Sequence, residues 1–393
     1  MKRVYLDHAA TTPVHPKVLE AMLPYFTDRF GNPSNLHDMG REAKDAVEDA
    51  RSKTAALINA RPEEIYFTSS GSESNNFAVK GIAEAYKQKG NHIIVSQIEH
   101  FSVLHPAKTL ERAGYRVTYI ETDKYGLIDP QAVARAITKE TILVSIMHAN
   151  NEIGTIEPIE EISKITRDKG VLLHTDAVAS TGWIPVDVKA LGVDALSLSG
   201  HQFYGPKGAA ALFLRKGVRV KPQIEGGVQE DGRRAGTENV PAIVGLGKAA
   251  ELASSDLERR RAHVSALRDR LQKSLIERIP DTVVNGHPDR RLPHNLNISM
   301  WYVEGESMLL FLNMEGIYVS SGSACTSRSL KASHVLVCIG TDAAVANGTL
   351  LMTLGTGTTE EDVDYVAEKL PPIVQRLREM SPLYEDMVKK RKG

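Results

Sequence analysis

A loop between two apolar runs carries the sequence Ser197-Leu198-Ser199-Gly200-His201-Gln202-Phe203-Tyr204-Gly205-Pro206-Lys207-Gly208. The second apolar run extends from Ala209 to Leu214, so the pattern predicts a turn that joins two buried strands. A serine, a histidine and glycines at the end of a strand suit an anion and a flat ligand. We therefore expect a binding site at this loop.

The composition is that of a globular protein without a strongly charged surface. Hydrophobic residues make up 42% and charged residues 25% of the 393 residues, which is ordinary for a globular chain. Lys and Arg number 48 and Asp and Glu 49, so no net field attracts nucleic acid or an anionic membrane. The two cysteines, Cys325 and Cys338, exclude a disulfide framework. The early polar residues and the lack of an apolar run of about 20 residues predict a cytoplasmic protein.

Short apolar runs alternate with helical segments from residue 65 onwards. Near-continuous apolar strands separated by helices predict a mostly parallel sheet covered on both faces, and hence an α/β fold. The predicted strands are 65–68, 92–98, 141–147, 171–178, 195–198 and 209–214. We place a domain boundary within a long helical stretch, 240–279, near residue 260. Residues 1–260 are expected to form a large domain and residues 261–393 a smaller α+β domain, against which the segment 1–15 packs.

Two segments that follow predicted strands are candidates for binding or chemistry. Ser69-Ser70-Gly71-Ser72-Glu73-Ser74 lies between a strand and a helix, where free backbone N–H groups and the helix dipole favour an anion. A plain serine N-cap explains the same residues equally well. His100 follows the next predicted strand and is either a polar strand terminus or, since imidazole titrates near neutral pH, a group that transfers protons.

Several further positions carry groups whose role depends on a partner. Asp176 lies near the end of an apolar strand, where a buried carboxylate needs a partner or caps the next helix. Asn151 lies in an asparagine-rich turn, and Thr237 precedes the long helix as an N-cap. Cys325 lies among Gly and Ser residues, a setting typical of an exposed and reactive thiol, whereas Cys338 lies in an apolar run typical of a core thiol.

Taken in order from Tyr5 to about Leu370, these motifs resemble the cysteine desulfurases of the NifS/IscS class, which are class-V aminotransferases of the fold-type-I pyridoxal-phosphate group. The resemblance implies a homodimer in which the large domain binds the cofactor and the small domain carries the Cys325 loop. It implies that L-cysteine is converted to alanine while the thiolate of Cys325 takes the sulfur as a persulfide. The sulfur then passes to an IscU-type scaffold or another acceptor, for iron–sulfur cluster assembly.

The resemblance also implies which residues hold the cofactor and react. The phosphate contacts are assigned to Gly71, Ser72, Ser199, His201 and Thr237, the last of which is donated to the neighbouring subunit. The ring contacts are assigned to His100, Asn151 and Asp176. In this assignment His100 stacks on the pyridine face and passes protons, Asn151 binds the ring oxygen, and Asp176 keeps the ring nitrogen protonated.

Three positions depart from the family's pattern where the amino acid reacts. Gln202 stands where the family has the lysine that forms a Schiff base with the cofactor, and an amide neither forms an imine nor takes a proton near neutral pH. Ala179 stands in place of a glutamine, and Leu351 in place of an arginine that binds the substrate carboxylate. Loss of a general base alone typically costs about 10²–10⁴ in rate. We therefore expect little or no desulfurase activity, with pyridoxal phosphate bound non-covalently or absent.

Two other functions fit the same residues. The first is a non-catalytic scaffold that binds an IscU-type partner, with Cys325 as a persulfide carrier or as one ligand of an iron–sulfur cluster. The second is a pyridoxal-phosphate enzyme with altered substrate choice, since Leu351 does not bind a carboxylate. The retained His100 and Asp176 favour a bound cofactor, whereas Gln202 and Leu351 favour the scaffold.

Overall fold

The computed structural model describes residues 2–321, 332–382 and 384–385, without the side chains of residues 343 and 344. Its strands are β1 Val4–Tyr5, β2 Ile65–Thr68, β3 His92–Ser96, β4 Arg116–Ile120, β5 Thr141–Ser145, β6 Leu172–Asp176, β7 Ala195–Ser199, β8 Ala210–Leu214, β9 Thr282–Val284, β10 Asn295–Met300, β11 Ile317–Tyr318 and β12 Thr349–Thr353. Its helices are α1 Pro16–Met22, α2 Pro24–Thr27, α3 Asp38–Leu57, α4 Gly71–Tyr86, α5 Phe101–Arg112, α6 Pro130–Ala136, α7 Ile159–Asp168, α8 Val188–Leu191, α9 Val240–Arg278, α10 Gly305–Met314, α11 His334–Cys338, α12 Ala343–Ala346 and α13 Glu360–Glu379. No helix in these ranges combines the length and the apolar character needed to cross a membrane.

Seven strands form the main sheet, in the order β2-β8-β7-β6-β5-β3-β4. β8 is antiparallel to its neighbours β2 and β7, and every other pair in the sheet is parallel. Every residue of β3, β5 and β7 is buried, as expected for strands that are covered on both faces. The predicted α/β fold with a mostly parallel sheet is confirmed.

Helices cover both faces of this sheet. Ile94 of β3 packs in the core that includes α3 and α9, whereas Ile93 and Val95 pack in the core that includes α4 and α5. This alternation follows from the two-residue period of a strand. Because β2, β3, β5, β6 and β7 run in one direction, the turns that follow them converge at one edge of the sheet.

A three-stranded antiparallel sheet, in the order β12-β10-β9, forms a second core with the end of α9 and with α10 and α13. α9 is continuous past residue 260, so that Ala253 packs in the first core and Val264 in the second. β1 pairs in parallel with β11, and Val4 and Leu6 are buried in the second core. The division into domains at residue 260 stays a prediction.

The last helix differs from the expectation for its sequence. Pro371 and Pro372 predict an interruption, since each proline removes a helical N–H donor, yet α13 is continuous through both. Val366, Leu370 and Val374 are buried at helical spacing along one face of α13. Tertiary packing of this apolar face therefore outweighs the two missing donors.

Candidate functional site

A cavity of about 390 Å³ lies at the edge of the main sheet where the carboxyl ends of the parallel strands meet. The predicted cofactor residues that line it are Gly71, Ser72, His100, Asn151, Asp176, His201 and Gln202. The remaining walls come from the N-terminal segment, from the loop before β10 and from β12. The parallel topology thus brings turns that are distant in the sequence to one cavity.

The start of α4 forms an anion-binding turn in this cavity. Gly71 and Ser72 are the first two helical residues after the N-cap Ser70, so their N–H groups have no partner within the helix. A Cβ atom at Gly71 would lie 2.6 Å from a methyl carbon of Val178, and the position therefore requires glycine. Close to Gly71, the Ser199 hydroxyl is buried and has no hydrogen-bond partner in the described part of the chain. An anion bound in this cavity would satisfy the two N–H groups of Gly71 and Ser72.

Asp176 presents a buried carboxyl group at the end of β6. Its Oδ2 accepts a hydrogen bond from Asn75 Nδ2 at 2.6 Å, and its Oδ1 accepts one from the Val178 N–H at 2.9 Å. Burial raises the pKa of this carboxyl, and the nearby His100 partly offsets that effect. A cationic ring nitrogen next to Asp176 would supply the positive charge that its ionised form needs.

A hydrogen-bond network connects Asp176 to His100. Asn75 Nδ2 also donates to Ser102 Oγ at 2.8 Å, and Ser102 Oγ lies 2.7 Å from His100 Nδ1. The backbone N–H of Ser102 donates to the same ring nitrogen, which places the proton of a neutral His100 ring on Nε2. Asn75 is missing from the sequence-based prediction, although its position one turn after Gly71 places it on the same face of α4.

Gln202 lies in the cavity wall, with its side chain bonded to the N-terminal segment. Its side-chain Nε2 donates to the Ala9 carbonyl at 2.9 Å. The backbone carbonyl of Gln202 accepts a hydrogen bond from Trp183 Nε1, also at 2.9 Å. Only 7% of Gln202 is exposed. The preceding residue, His201, has Nδ1 at 3.2 Å from Thr11 Oγ1. The segment around Ala9 is thus fixed as a wall of the cavity, which the sequence-based prediction did not include.

A further wall, here called the β12 wall, consists of Asp7, Leu292, His294, Ser320 and Leu351. The backbones of Leu351 and Ser320 exchange two hydrogen bonds. The Asp7 carboxyl is hydrogen-bonded to the Ser320 side chain, and burial raises the pKa of Asp7 to about 6. Its Oδ1 is buried and receives no hydrogen bond from the described residues. Among the described residues, the β12 wall therefore contains a hydrogen-bond acceptor without a donor.

The rest of the β12 wall carries no charge. His294 stacks on Trp183 with ring centroids 4.1 Å apart, and burial lowers the pKa of His294 to about 3. Leu292 and Leu351 are almost completely buried. Within residues 2–321 and 332–382, no lysine or arginine lines the cavity. Ala179 does line it, so all three departures from the family's pattern occur at one cavity.

Two predicted site residues in the described part of the chain, Ser199 and Thr237, do not line the cavity. Ser199 lies next to Gly71, as described above, and Thr237 is exposed in the loop before α9. Cys325 lies outside the described residues, so its roles as nucleophile and as metal ligand stay predictions. Cys338 is half-buried in α11, and burial raises the pKa of its thiol. No group of three or more metal-binding side chains occurs in the described ranges.

Comparisons with known sequences place the chain in one family. Residues 4–366 match the family of class-V aminotransferases. A cysteine desulfurase IscS of Methanosarcina thermophila is 54% identical over 382 residues, which cover 97% of this chain and 94% of the relative. A cysteine desulfurase IscS of Dictyoglomus turgidum is 51% identical over 387 residues, which cover 98% of each.

Solved structures agree with the sequence comparisons. A NifS-like protein matches with a TM-score of 0.90 at 38% identity, covering 96% of this chain and 100% of that structure. The structure of SspA in complex with cysteine matches with a TM-score of 0.80 at 38% identity, covering 91% and 100%. The chain therefore belongs to the class-V aminotransferase family and, within it, to the cysteine desulfurases.

Proposed function

We propose that this chain binds pyridoxal phosphate without a covalent bond and takes part in sulfur mobilisation, with little or no desulfurase activity towards cysteine. The observation that carries the proposal is Gln202, whose amide lies in the cavity wall and donates to the Ala9 carbonyl. The relatives named cysteine desulfurase support the link to sulfur mobilisation.

The start of α4 fits the phosphate of pyridoxal phosphate. The N–H groups of Gly71 and Ser72 would donate to the phosphate oxygens. The neighbouring Ser199 hydroxyl has no partner among the described residues and would be a further donor if its side chain turns towards the phosphate. His201 lines the same cavity and would add a further donor.

The other lining residues fit the pyridine ring. Asp176 would hold the protonated ring nitrogen, and Asn75 fixes the orientation of its carboxyl group. His100 would cover one face of the ring, and Asn151 would donate to the ring oxygen. The bound cofactor supplies an electron sink for reactions at an attached amine.

Gln202 cannot replace a lysine in this cavity. Its amide does not titrate near neutral pH and forms no covalent bond with an aldehyde. It instead holds the N-terminal segment through the Ala9 carbonyl. Loss of a positioned general base lowers rates by about 10²–10⁴, and no lysine among the described lining residues is available as a substitute.

The proposal is tested by titrating the purified protein with pyridoxal phosphate and then reducing it with borohydride. We expect the titrated protein to show the absorbance of bound pyridoxal phosphate. Gel filtration under denaturing conditions should remove this cofactor completely, and no peptide should carry a reduced adduct. Asp176→Asn should weaken binding about tenfold or more, because a hydrogen bond to a charged group contributes roughly 1.5–3 kcal/mol. Lys207→Arg, a change in the exposed lysine of the same loop, should bind like wild type. A reduced adduct on a lysine peptide would contradict the proposal.

A homodimer is the assembly that we infer for this function. Thr237 is exposed and does not line the cavity of its own chain, while the family resemblance assigns it to the phosphate of the neighbouring subunit. In the segment that follows α1, Phe26, Phe30 and Leu36 are 59%, 67% and 92% exposed. Large apolar side chains that are exposed together in this way are typical of an association surface.

A second candidate function is a scaffold that binds an IscU-type partner. The lack of lysine and arginine in the described cavity lining favours it, because amino-acid chemistry then has neither a covalent anchor nor a partner for the carboxylate. In this role Cys325 accepts sulfur made elsewhere, or supplies one thiolate to an iron–sulfur cluster that the partner completes.

The two cysteines provide a matched test of the scaffold function. Cluster yield is measured after the protein is mixed anaerobically with an IscU-type partner, iron and sulfide. Persulfide labelling is measured in a separate sample incubated with a low-molecular-weight persulfide, which transfers its outer sulfur to the thiolate and leaves as a thiol. Cys325→Ser should lower both several-fold, whereas Cys338→Ser, which changes the other cysteine of the chain, should leave both unchanged. Equal values for Cys325→Ser and wild type would exclude Cys325 from this role.

A further inference from the structure

The β12 wall is suited to a part of a ligand that carries no negative charge. Leu292 and Leu351 are 1% and 3% exposed and present only hydrocarbon. His294 is neutral, because burial lowers its pKa to about 3. The one charged side chain of this wall is Asp7, whose carboxyl is hydrogen-bonded to Ser320.

Asp7 is held in place by backbone contacts, and one of its carboxyl oxygens has no hydrogen-bond donor among the described residues. Its backbone pairs with Thr353 of β12, and the Tyr5 hydroxyl donates to its carbonyl at 2.9 Å. Its carboxyl Oδ1 is buried and is not reached by any donor from the part of the chain that the structure describes. A buried acceptor in this state is satisfied by a ligand that brings an N–H group.

We propose that the β12 wall selects small amines that carry no carboxylate, such as aminothiols or amino-acid amides, and rejects α-amino acids. The inference rests on the proposed function, since it names the ligand class for the same cavity. Amines with and without a carboxylate both bring an ammonium group, which the Asp7 carboxylate attracts. They differ in whether a carboxylate must be placed next to Asp7 and Leu351.

A ligand carboxylate has no favourable position at this wall. Burial of an anion without a partner is costly, and the like charge of Asp7 adds to that cost. A neutral carboxamide of the same size avoids both costs, and its NH₂ group can donate to Asp7 Oδ1. We expect the two dissociation constants to differ by about tenfold or more, as is typical of one hydrogen bond to a charged group.

The experiment uses L-alanine and L-alaninamide, which are nearly equal in size and differ in the carboxylate. Binding is measured by isothermal titration calorimetry at about pH 7.5, above the pKa of about 6 of Asp7. Both the cofactor-free protein and the protein loaded with pyridoxal phosphate are titrated. We expect L-alaninamide to bind about tenfold or more tightly than L-alanine in both forms.

Variants of the β12 wall assign this preference to its residues. Leu351→Arg should abolish or reverse it, since a guanidinium group pairs with the carboxylate of L-alanine. Asp7→Asn should reduce the preference for L-alaninamide several-fold. This variant tests the inference even if an arginine at the buried position 351 prevents folding. Leu310→Arg adds the same charge at a position of α10 that is 68% exposed, and it should leave the preference unchanged.

The outcomes separate this inference from the proposed function. Equal or tighter binding of L-alanine by the wild-type protein overturns the inference, as does a preference that neither Asp7→Asn nor Leu351→Arg alters. The proposed function fails instead if the protein does not bind pyridoxal phosphate. In that case the comparison of the two ligands in the cofactor-free protein still decides the ligand class.

Discussion

Replacing Gln202 with lysine is expected to let borohydride attach the cofactor to the protein covalently. The amount of covalently bound cofactor after reduction should rise from none in wild type to nearly one molecule per chain in the variant. The position already lies in the cavity wall, and the bond from Trp183 Nε1 to the carbonyl of residue 202 fixes its backbone. The variant loses the bond from the amide to the Ala9 carbonyl, to which a lysine ammonium can also donate. The measurement is mass spectrometry of the peptide that contains residue 202 after reduction.

The control for this variant is Gln202→Met, which has a similar length and no reactive amine. It should give no adduct, and the Lys207 peptide should be unmodified in every sample. Alanine release from cysteine should stay low in Gln202→Lys, because Leu351 supplies no cation. It should rise by about tenfold or more when Leu351→Arg is added, because a hydrogen bond to a charged group contributes roughly 1.5–3 kcal/mol. If Gln202→Lys binds the cofactor but gives no adduct, residue 202 is out of reach of the aldehyde and the proposed orientation of the cofactor is wrong.

The main sheet was predictable where burial leaves a simple pattern in the sequence. Strands such as β3 and β7 are buried on both faces and therefore appear as continuous apolar runs. β4 is an edge strand with half-exposed residues. Its Val, Thr, Tyr and Ile residues are common in strands, but it lacks the continuous apolar run that marks the buried strands. Propensity alone also failed at Pro371, because the packing that holds α13 together is tertiary.

The candidate site was predictable where its residues directly follow strands. Gly71 lies just after β2 and Asp176 is the last residue of β6, and the parallel topology brings them together. Asp7 and His294 reach the cavity through pairings that no local pattern reveals: Asp7 pairs with Thr353 on β12, and His294 stacks on Trp183. Contacts of this kind depend on the packing of the second core against the main sheet.

Glu99 is a completely buried carboxyl that no motif distinguishes. Its Oε1 accepts hydrogen bonds from the Met147 N–H and the Ser96 hydroxyl, both at 2.8 Å. Its Oε2 is buried and has no partner among the described residues. Burial, together with repulsion from Asp176, raises the pKa of Glu99 to about 8. Glu157 is also buried with a raised pKa, and Glu99 contributes to that increase.

Glu99→Gln is therefore expected to make the free energy of unfolding less dependent on pH. The pKa of Glu99 rises from an ordinary 4.5 to about 8 on folding, so the folded state binds this proton more tightly than the unfolded state. The resulting stabilisation is complete below about pH 4.5 and is lost as the pH rises through about 8. Because one pKa unit corresponds to about 1.4 kcal/mol and Glu99 is half protonated at its pKa, the unfolding free energy of wild type should fall by about 3.5 kcal/mol relative to that of Glu99→Gln between pH 5 and pH 8.

Urea unfolding of the two proteins at these two pH values measures the difference. Glutamine matches the shape of the protonated carboxyl and retains the acceptor for Met147 and Ser96, so the variant should fold at both pH values. Glu20→Gln changes an exposed glutamate of α1, and its free energy of unfolding should show the same dependence on pH as that of wild type. If the difference between wild type and Glu99→Gln is the same at pH 5 and pH 8, Glu99 keeps one charge state across this range, and a donor or cation that reaches Oε2 must hold it ionised despite its burial.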